Sequence, residues 1–187
     1  MRTITKQGTN NHLIIMLHGT GGSADSLFSI GEIIDPMATY IGIEGEILEN
    51  GMRRYFERYA DGSFKLKSLA EATSKLFKTI DKIILENPDK TITLVGYSNG
   101  ANIALNLLKE YEKLNINNAL LYHPSVVRPE IAYQKQNDLN ILITSGHNDP
   151  FIDQKDFEIL AEDLKQINHL VKNADRIHWF IRREAWC

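Results

Sequence analysis

The sequence predicts an α/β fold in which a mostly parallel, twisted sheet is covered by helices on both faces. Short, continuous apolar runs such as Leu13–Leu17 (LIIML) and Thr91–Val95 (TITLV) are typical of strands buried on both faces. Longer segments with helical spacing of apolar residues separate these runs. The chain has 187 residues, of which 43% are hydrophobic, so we expect a single domain over residues 1–187.

The first half of the chain continues the alternation. Ser23–Pro36 carries apolar residues at helical spacing and is closed by its proline, so it predicts a helix. Thr39–Ile43 predicts a short strand. Gly45–Phe64 predicts an irregular connection, and a connection of this length is often functional. Lys67–Glu86 predicts a long amphipathic helix, which Pro88 terminates.

The second half repeats the pattern. Asn99–Leu114 follows the TITLV strand and predicts a helix, as does Asp153–Gln166. Three further apolar runs predict strands: Asn118–Tyr122, Leu139–Thr144 and Asp175–Ile181.

Composition excludes several classes of partner. The net charge of −3 gives no reason to expect a nucleic acid or an anionic membrane surface as partner. The LIIML run is too short to cross a bilayer. The single cysteine, Cys187, excludes a disulfide within the chain and fits a reducing compartment. We therefore expect a cytoplasmic protein.

Three polar loops follow predicted strands. They are His18–Gly22 (HGTGG), Gly96–Gly100 (GYSNG) and Ser145–Pro150 (SGHNDP). Because ligands bind at the carboxyl ends of parallel strands, these loops are expected to meet at one edge of the sheet.

Ser98 stands between two glycines where a strand passes into a helix. A tight turn there holds the serine above the sheet, and Gly96 and Gly100 remove collisions with neighbouring backbone. The N–H groups of Asn99 and Thr20 are candidate donors to an oxyanion. These residues predict a nucleophile with an oxyanion hole.

Simpler interpretations stay open for each motif. A lone G-x-S-x-G arises by chance in many proteins. Asp149 lies after a core strand as a catalytic carboxylate would, yet it could simply cap a turn before Pro150. The HGTGG loop could cradle a phosphate, although the lysine of a P-loop is missing. No G-x-G-x-x-G follows the first strand, which disfavours a dinucleotide site.

In combination, HG-x-GG, GYSNGAN and G-x-x-D-P resemble the small carboxylesterase branch of the α/β-hydrolases. That branch includes acyl-protein thioesterase-like proteins and bacterial hydrolases induced by quinones or copper. The resemblance implies a Ser–His–Asp triad, small esters or thioesters as substrates, and neither cofactor nor metal. It also implies that Gly19 and the segment Arg54-Tyr55-Phe56 contact substrate; simple loop packing of these aromatics is the alternative.

The general base is the least evident part. His178 follows Asp149 in the expected chain order, but it falls inside the last predicted strand. The family places its histidine in a Gly-His loop after that strand and ends on a further helix, whereas this sequence ends in IRREAWC. The fold is therefore expected to lack its final helix, and a frame shift near Phe180 is one hypothesis. An uncovered face would favour a homodimer.

The sequence therefore predicts a serine hydrolase that cleaves small carboxylic esters or thioesters through an acyl-enzyme on Ser98, with Asp149 and His178 completing the triad. The alternative is a catalytically silent hydrolase fold that binds a ligand or partner. An acyltransferase that uses the same triad is a third interpretation.

Overall fold

The computed structural model of the chain describes residues 1–146, 152–165 and 171–173. The strands are β1 (Thr3–Lys6), β2 (His12–Leu17), β3 (Thr39–Ile43), β4 (Ile47–Glu49), β5 (Met52–Arg54), β6 (Thr91–Tyr97), β7 (Asn118–Tyr122), β8 (Asn140–Thr144) and β9 (Val171–Asn173). The helices are α1 (Phe28–Ile34), α2 (Leu66–Leu85), α3 (Asn99–Glu110) and α4 (Gln154–Lys165).

Within the described residues, seven strands form the main sheet, in the order β1-β3-β2-β6-β7-β8-β9. Every pairing is parallel except that of β1, which lies antiparallel on β3. The predicted mostly parallel sheet is thus confirmed. The parallel pairs bring the carboxyl ends of β2, β6, β7 and β8 to one edge, which is where the polar loops begin.

The core lies on both faces of the sheet, and β2 shows how. Its side chains alternate: Leu13, Ile15 and Leu17 pack in a large cluster with α2, α3 and α4, while Ile14 and Met16 pack in a smaller cluster against α1. Successive side chains of a strand point to opposite faces of the sheet. Because both faces of β2 are buried, the strand needs apolar residues at consecutive positions.

Several bounds differ from the prediction. The edge strand β1 was not predicted, because its sequence TITK is polar on alternate positions and mostly exposed. Helix α1 begins only at Phe28. Helix α3 ends at Glu110 because Tyr111 is already extended. The predicted strand Asp175–Ile181 and the expected loss of a final helix fall on residues outside the described ranges.

The connection predicted as irregular contains a hairpin, formed by β4 and β5. Asn50 and Gly51 join the two strands, and both have positive φ, 50° and 76°. An Asn-Gly pair of this kind is the preferred two-residue hairpin turn. The prediction of an irregular segment was wrong for this part of the connection.

Candidate active site

Ser98 occupies a turn of one residue between β6 and α3. Its φ and ψ are 48° and −108°, a region that L-residues avoid. The backbone on either side holds it there: Ser98 N–H donates to Tyr122 O at 2.8 Å, and Ser98 O accepts from Asn102 N–H at 2.9 Å. A strained conformation that its neighbours fix on two sides is typical of a functional residue.

The two flanking glycines are required by close backbone contacts. A Cβ on Gly100 would lie 2.1 Å from Leu17 O, and a Cβ on Gly96 would lie 2.8 Å from Ala101 Cα. Real Cβ atoms do not approach backbone so closely. The predicted steric role of both glycines is confirmed.

Asn99 begins α3 immediately after the turn, and its side chain is fully buried. Its Oδ1 accepts a hydrogen bond from Tyr55 N–H at 2.8 Å. Its backbone N–H belongs to the first turn of the helix, where N–H groups have no partner within the helix. The Asn99 side chain therefore holds the backbone at Tyr55, while the backbone N–H of Asn99 itself stays available to an anion.

The HGTGG loop is held by the ring of His18, which is only 1% exposed. Gly45 N–H donates to Nε2 at 3.0 Å, so Nε2 is the acceptor nitrogen and the proton lies on Nδ1. Nδ1–H then donates to Gly19 O at 2.7 Å. Because C=O and N–H of a trans peptide point in opposite directions, this bond turns the Thr20 N–H away from His18.

Further contacts fix the same loop. Gly22 N–H donates to Gly19 O at 3.1 Å, and Gly21 N–H donates to Arg53 O at 2.8 Å. A Cβ on Gly19 would lie 2.7 Å from the Tyr97 ring, so this glycine lets the loop approach the residue before Ser98. The Thr20 hydroxyl is buried and has no hydrogen-bond partner among the described residues.

Burial lowers the pKa of the His18 imidazole, against the opposing effect of its bond to Gly19. The ring is therefore held neutral. Protonation would add a hydrogen at Nε2, which would face the Gly45 N–H and break that bond.

His18→Asn is expected to lower the free energy of unfolding by about 1–3 kcal/mol near pH 8, because the buried Gly45 N–H loses its acceptor. Since the pKa of His18 is lower in the folded state, the unfolded chain takes up the proton first as the pH falls below about 6.5. The stability that His18 contributes is complete above that pH and is lost on acidification. Urea unfolding of both proteins at about pH 8 and about pH 5.5 should show the difference shrinking; a difference independent of pH would contradict the assigned tautomer.

The segment predicted to contact substrate is largely buried. The Tyr55 and Phe56 side chains are 1% and 0% exposed, and Arg54 is 6% exposed. Tyr55 Oη donates to Ile43 O and accepts from His18 N–H. These contacts favour the packing interpretation for the two aromatics, and a role of the segment in binding substrate stays a prediction.

The described residues bring Ser98, Asn99 and the His18–Gly22 loop to the same sheet edge, since β2 and β6 pair in parallel with Leu17 opposite Gly96. Asp149 and His178 lie outside the described residues. The strand β8, which precedes residues 145–150, pairs in parallel with β7, so its carboxyl end lies at this edge.

Comparisons with known proteins identify the family of this chain. The family model described as "Dienelactone hydrolase family" matches residues 5–185. The chain belongs to the dienelactone hydrolase family. It is 37% identical to the hydrolase MhqD of Bacillus subtilis (strain 168) over 167 residues, which cover 88% of this chain and 83% of that protein.

Solved structures of this fold agree. A carboxylesterase from Bacillus cereus superposes with a TM-score of 0.87 and 32% identity, covering 99% of this chain and 90% of that one. SOBER1 of Arabidopsis thaliana superposes with a TM-score of 0.70 and 20% identity, covering 87% of this chain and 86% of that one, which shows a shared fold. The resemblance to the α/β-hydrolases is thus confirmed, and the protein is a hydrolase of the esterase type. Among the described residues, no helix is both long and apolar enough to cross a membrane.

Sequence reasoning missed the structural role of two polar side chains near Ser98. His18 was noted only as a letter of the HGTGG motif, and Asn102 was not noted at all. Asn102 Oδ1 accepts from Ser125 N–H at 2.7 Å, which ties the loop after β7 to α3. Asn99, Asn102 and Asn106 are spaced so that they lie on one face of the helix. This spacing could have indicated their structural role, because polar residues on a buried helix face need hydrogen-bond partners.

Proposed function

We propose that the protein is a serine hydrolase that cleaves small carboxylic esters or thioesters through an acyl-enzyme on Ser98. The observation that carries the proposal is the conformation of Ser98, with φ of 48° between two sterically required glycines, in a chain of an esterase-type family. The nearby loop whose peptide His18 orients supports it further.

In this mechanism Ser98 Oγ attacks the acyl carbon, and a histidine takes up the hydroxyl proton. Charge that develops on the carbonyl oxygen is stabilised by the N–H groups of Thr20 and Asn99, each worth about 3–4 kcal/mol at the transition state. The proton passes to the departing alcohol or thiol as the acyl–oxygen or acyl–sulfur bond breaks. Water then hydrolyses the acyl-enzyme by the reverse roles.

The sequence assigns the base to His178 and its orienting carboxylate to Asp149, and both assignments are part of the proposal. A serine hydroxyl without a base is a poor nucleophile. The identity of the base therefore decides whether this chain is active or silent.

Labelling with a fluorophosphonate probe tests the proposal. Only an activated serine reacts quickly, so we expect rapid labelling that peptide mass spectrometry maps to Ser98. His178→Ala and Asp149→Asn should each slow labelling by at least about 10³-fold, since a serine without its triad partners loses most of its reactivity.

The possible labelling results distinguish an enzyme from a silent binding protein and test the roles of Ser98 and His178 separately. Absence of labelling in the unsubstituted protein would favour the silent binding protein over the enzyme. Rapid labelling that survives His178→Ala would remove His178 as the base while leaving Ser98 as the nucleophile. His12→Ala is a matched control, because His12 bonds Asp35 and Thr93 at the opposite ends of the strands.

A further inference from the structure

Tyr97 and His123 form a pair of rings at the sheet edge where Ser98 lies, and the mechanism above uses neither of them. Tyr97 is the last residue of β6 and directly precedes Ser98. His123 directly follows Tyr122, the last residue of β7. The two rings meet edge to face, with their centres 5.5 Å apart and their planes at 62°. The half-buried His123 ring thus packs against the residue next to the nucleophile.

One peptide group, between Tyr122 and His123, links the nucleophile turn to β8. Its carbonyl oxygen accepts from Ser98 N–H at 2.8 Å, and its own N–H donates to Thr144 O at 2.7 Å. Thr144 is the last residue of β8. Because a peptide group is planar and rigid, these two hydrogen bonds hold the nucleophile turn and the carboxyl end of β8 at a fixed separation.

The backbone of His123 has an unfavourable conformation, with a φ of 51°. Positive φ is uncommon for a residue that has a side chain. Ser98, to which the peptide group of His123 is hydrogen-bonded, has the same feature, with a φ of 48°. Residues held in such conformations cluster at functional sites. The conformation of His123 therefore favours a role in the site.

The His123 ring also contacts the loop that follows β8. A Cβ on Gly146 would lie 3.7 Å from His123 Cε1, so the backbone of Gly146 lies beside the ring. Gly146 belongs to the predicted Ser145–Pro150 loop, in which the sequence places Asp149 as the triad carboxylate. The ring thus contacts both the residue before the nucleophile and the loop of the predicted carboxylate.

Tyr97 gives His123 a fixed surface to pack against. A Cβ on Gly19 would lie 2.7 Å from Tyr97 Cδ1, so the HGTGG loop holds the tyrosine ring closely. Contacts therefore run from the loop after β2, through the rings of Tyr97 and His123, to the loop after β8. These are the three loops that the sequence predicts to build the site.

We propose that His123 is a positioning residue of the Ser98 site, which holds the nucleophile turn at a fixed separation from the loop after β8. Its effect on the reaction rests on the proposed function, in which Ser98 and its triad partners react only when they are aligned. A displacement of about 1 Å in an active site can cost about 10²-fold in rate. His123 itself takes no part in making or breaking bonds.

His123→Ala tests this role. We expect kcat for a simple 4-nitrophenyl ester to fall by at least about tenfold with KM unchanged, because misalignment affects the transition state more than it affects substrate binding. Lys113→Ala is the matched control, since Lys113 also has a positive φ, 53°, but is exposed before the amino end of β7. It should change neither constant. An unchanged kcat in His123→Ala would overturn the proposal.

His123→Gly separates positioning from loss of stability. This variant should resist urea better than His123→Ala, because glycine tolerates positive φ. Its kcat should nevertheless stay as low as that of His123→Ala, since both variants lack the ring. Recovery of kcat in His123→Gly would show that the alanine variant is only destabilised, and the proposal would fail.

A double-mutant cycle with Asp149→Asn identifies the loop through which His123 acts. In the Asp149→Asn background, His123→Ala should slow fluorophosphonate labelling by less than about twofold, because the partner that it aligns is already lost. Full multiplication of the two single effects would contradict action through the loop after β8.

Hydrogen exchange of backbone amides measures the positioning without the reaction. In His123→Ala the Ser98 amide should exchange at least about tenfold faster than in the unsubstituted protein, because its turn opens more often. Lys113→Ala should leave this rate unchanged. Faster exchange in His123→Ala, in a chain without turnover, would refute the Ser98 mechanism and keep the role of His123. Unchanged exchange in a chain that does turn over the ester would refute the role of His123 and keep the mechanism.

Discussion

Ser98→Ala is expected to lower kcat for a simple 4-nitrophenyl ester by about 10⁶-fold, the largest effect predicted for this chain. In the proposed mechanism the hydroxyl oxygen of Ser98 forms the acyl-enzyme, and alanine has no group that could replace it. Turnover of about 10³–10⁴-fold over water could persist from the oxyanion donors alone. Steady-state kinetics with active-site titration measures the change.

Stability provides an independent readout at the same position. A φ of 48° at position 98 is as unfavourable for alanine as it is for serine, whereas glycine tolerates positive φ. The free energy of unfolding of Ser98→Gly should therefore be about 1 kcal/mol higher than that of Ser98→Ala. This difference is the strain that glycine relieves minus the extra conformational entropy that glycine loses on folding.

Ser29→Ala is the control for loss of a hydroxyl, because Ser29 is exposed on α1. It should change neither kcat nor stability appreciably. Activity of Ser98→Ala above a hundredth of the unsubstituted value would contradict the role of Ser98 as nucleophile.

The sheet and its loops were predictable because their signals are local. The runs Thr39–Ile43 and Asn118–Tyr122 are continuous apolar stretches, and the structure forms β3 and β7 over those same residues. The glycines beside Ser98 were predictable because a strand-to-helix turn imposes its own steric demand. Because parallel strands have their carboxyl ends at the same edge of a sheet, the loops that follow β2 and β6 could be predicted to lie close together.

The surroundings of the site depend on long-range partners, which one sequence does not display. Tyr55 and Phe56 stand among polar residues in the chain, yet Tyr55 is buried because Ile43 O and His18 N–H meet its hydroxyl. The hairpin did carry a local signal, Asn50-Gly51, but its strands of three residues each are too short to show alternation. Asp149 and His178 stay predictions.

The close backbone contact at Gly100 also links the two loops that the proposed mechanism uses. The carbonyl group of Leu17 lies directly before His18, and the Gly100 Cα faces it so closely that a Cβ would lie 2.1 Å from Leu17 O and 2.7 Å from His18 O. A change at Gly100 therefore acts on the HGTGG loop as well as on α3.

Gly100→Ala is expected to cost about 3 kcal/mol or more in free energy of unfolding, because backbone on both sides of the contact must move apart. That is a large part of the roughly 5–15 kcal/mol that stabilises a typical domain. Separation of β2 from α3 would also displace the Thr20 and Asn99 N–H groups, so the folded fraction should lose at least about tenfold in kcat. Denaturant unfolding and kinetics corrected for folded protein measure the two effects.

Gly51→Ala is the matched glycine control. A Cβ there meets nothing within 4 Å, but φ is +76°, so only the conformational cost of about 1 kcal/mol applies. We expect kcat to be unchanged in this variant. If Gly100→Ala were no more damaging than Gly51→Ala, this would contradict the role of the close packing of β2 against the start of α3 in holding Ser98 beside the proposed oxyanion donors.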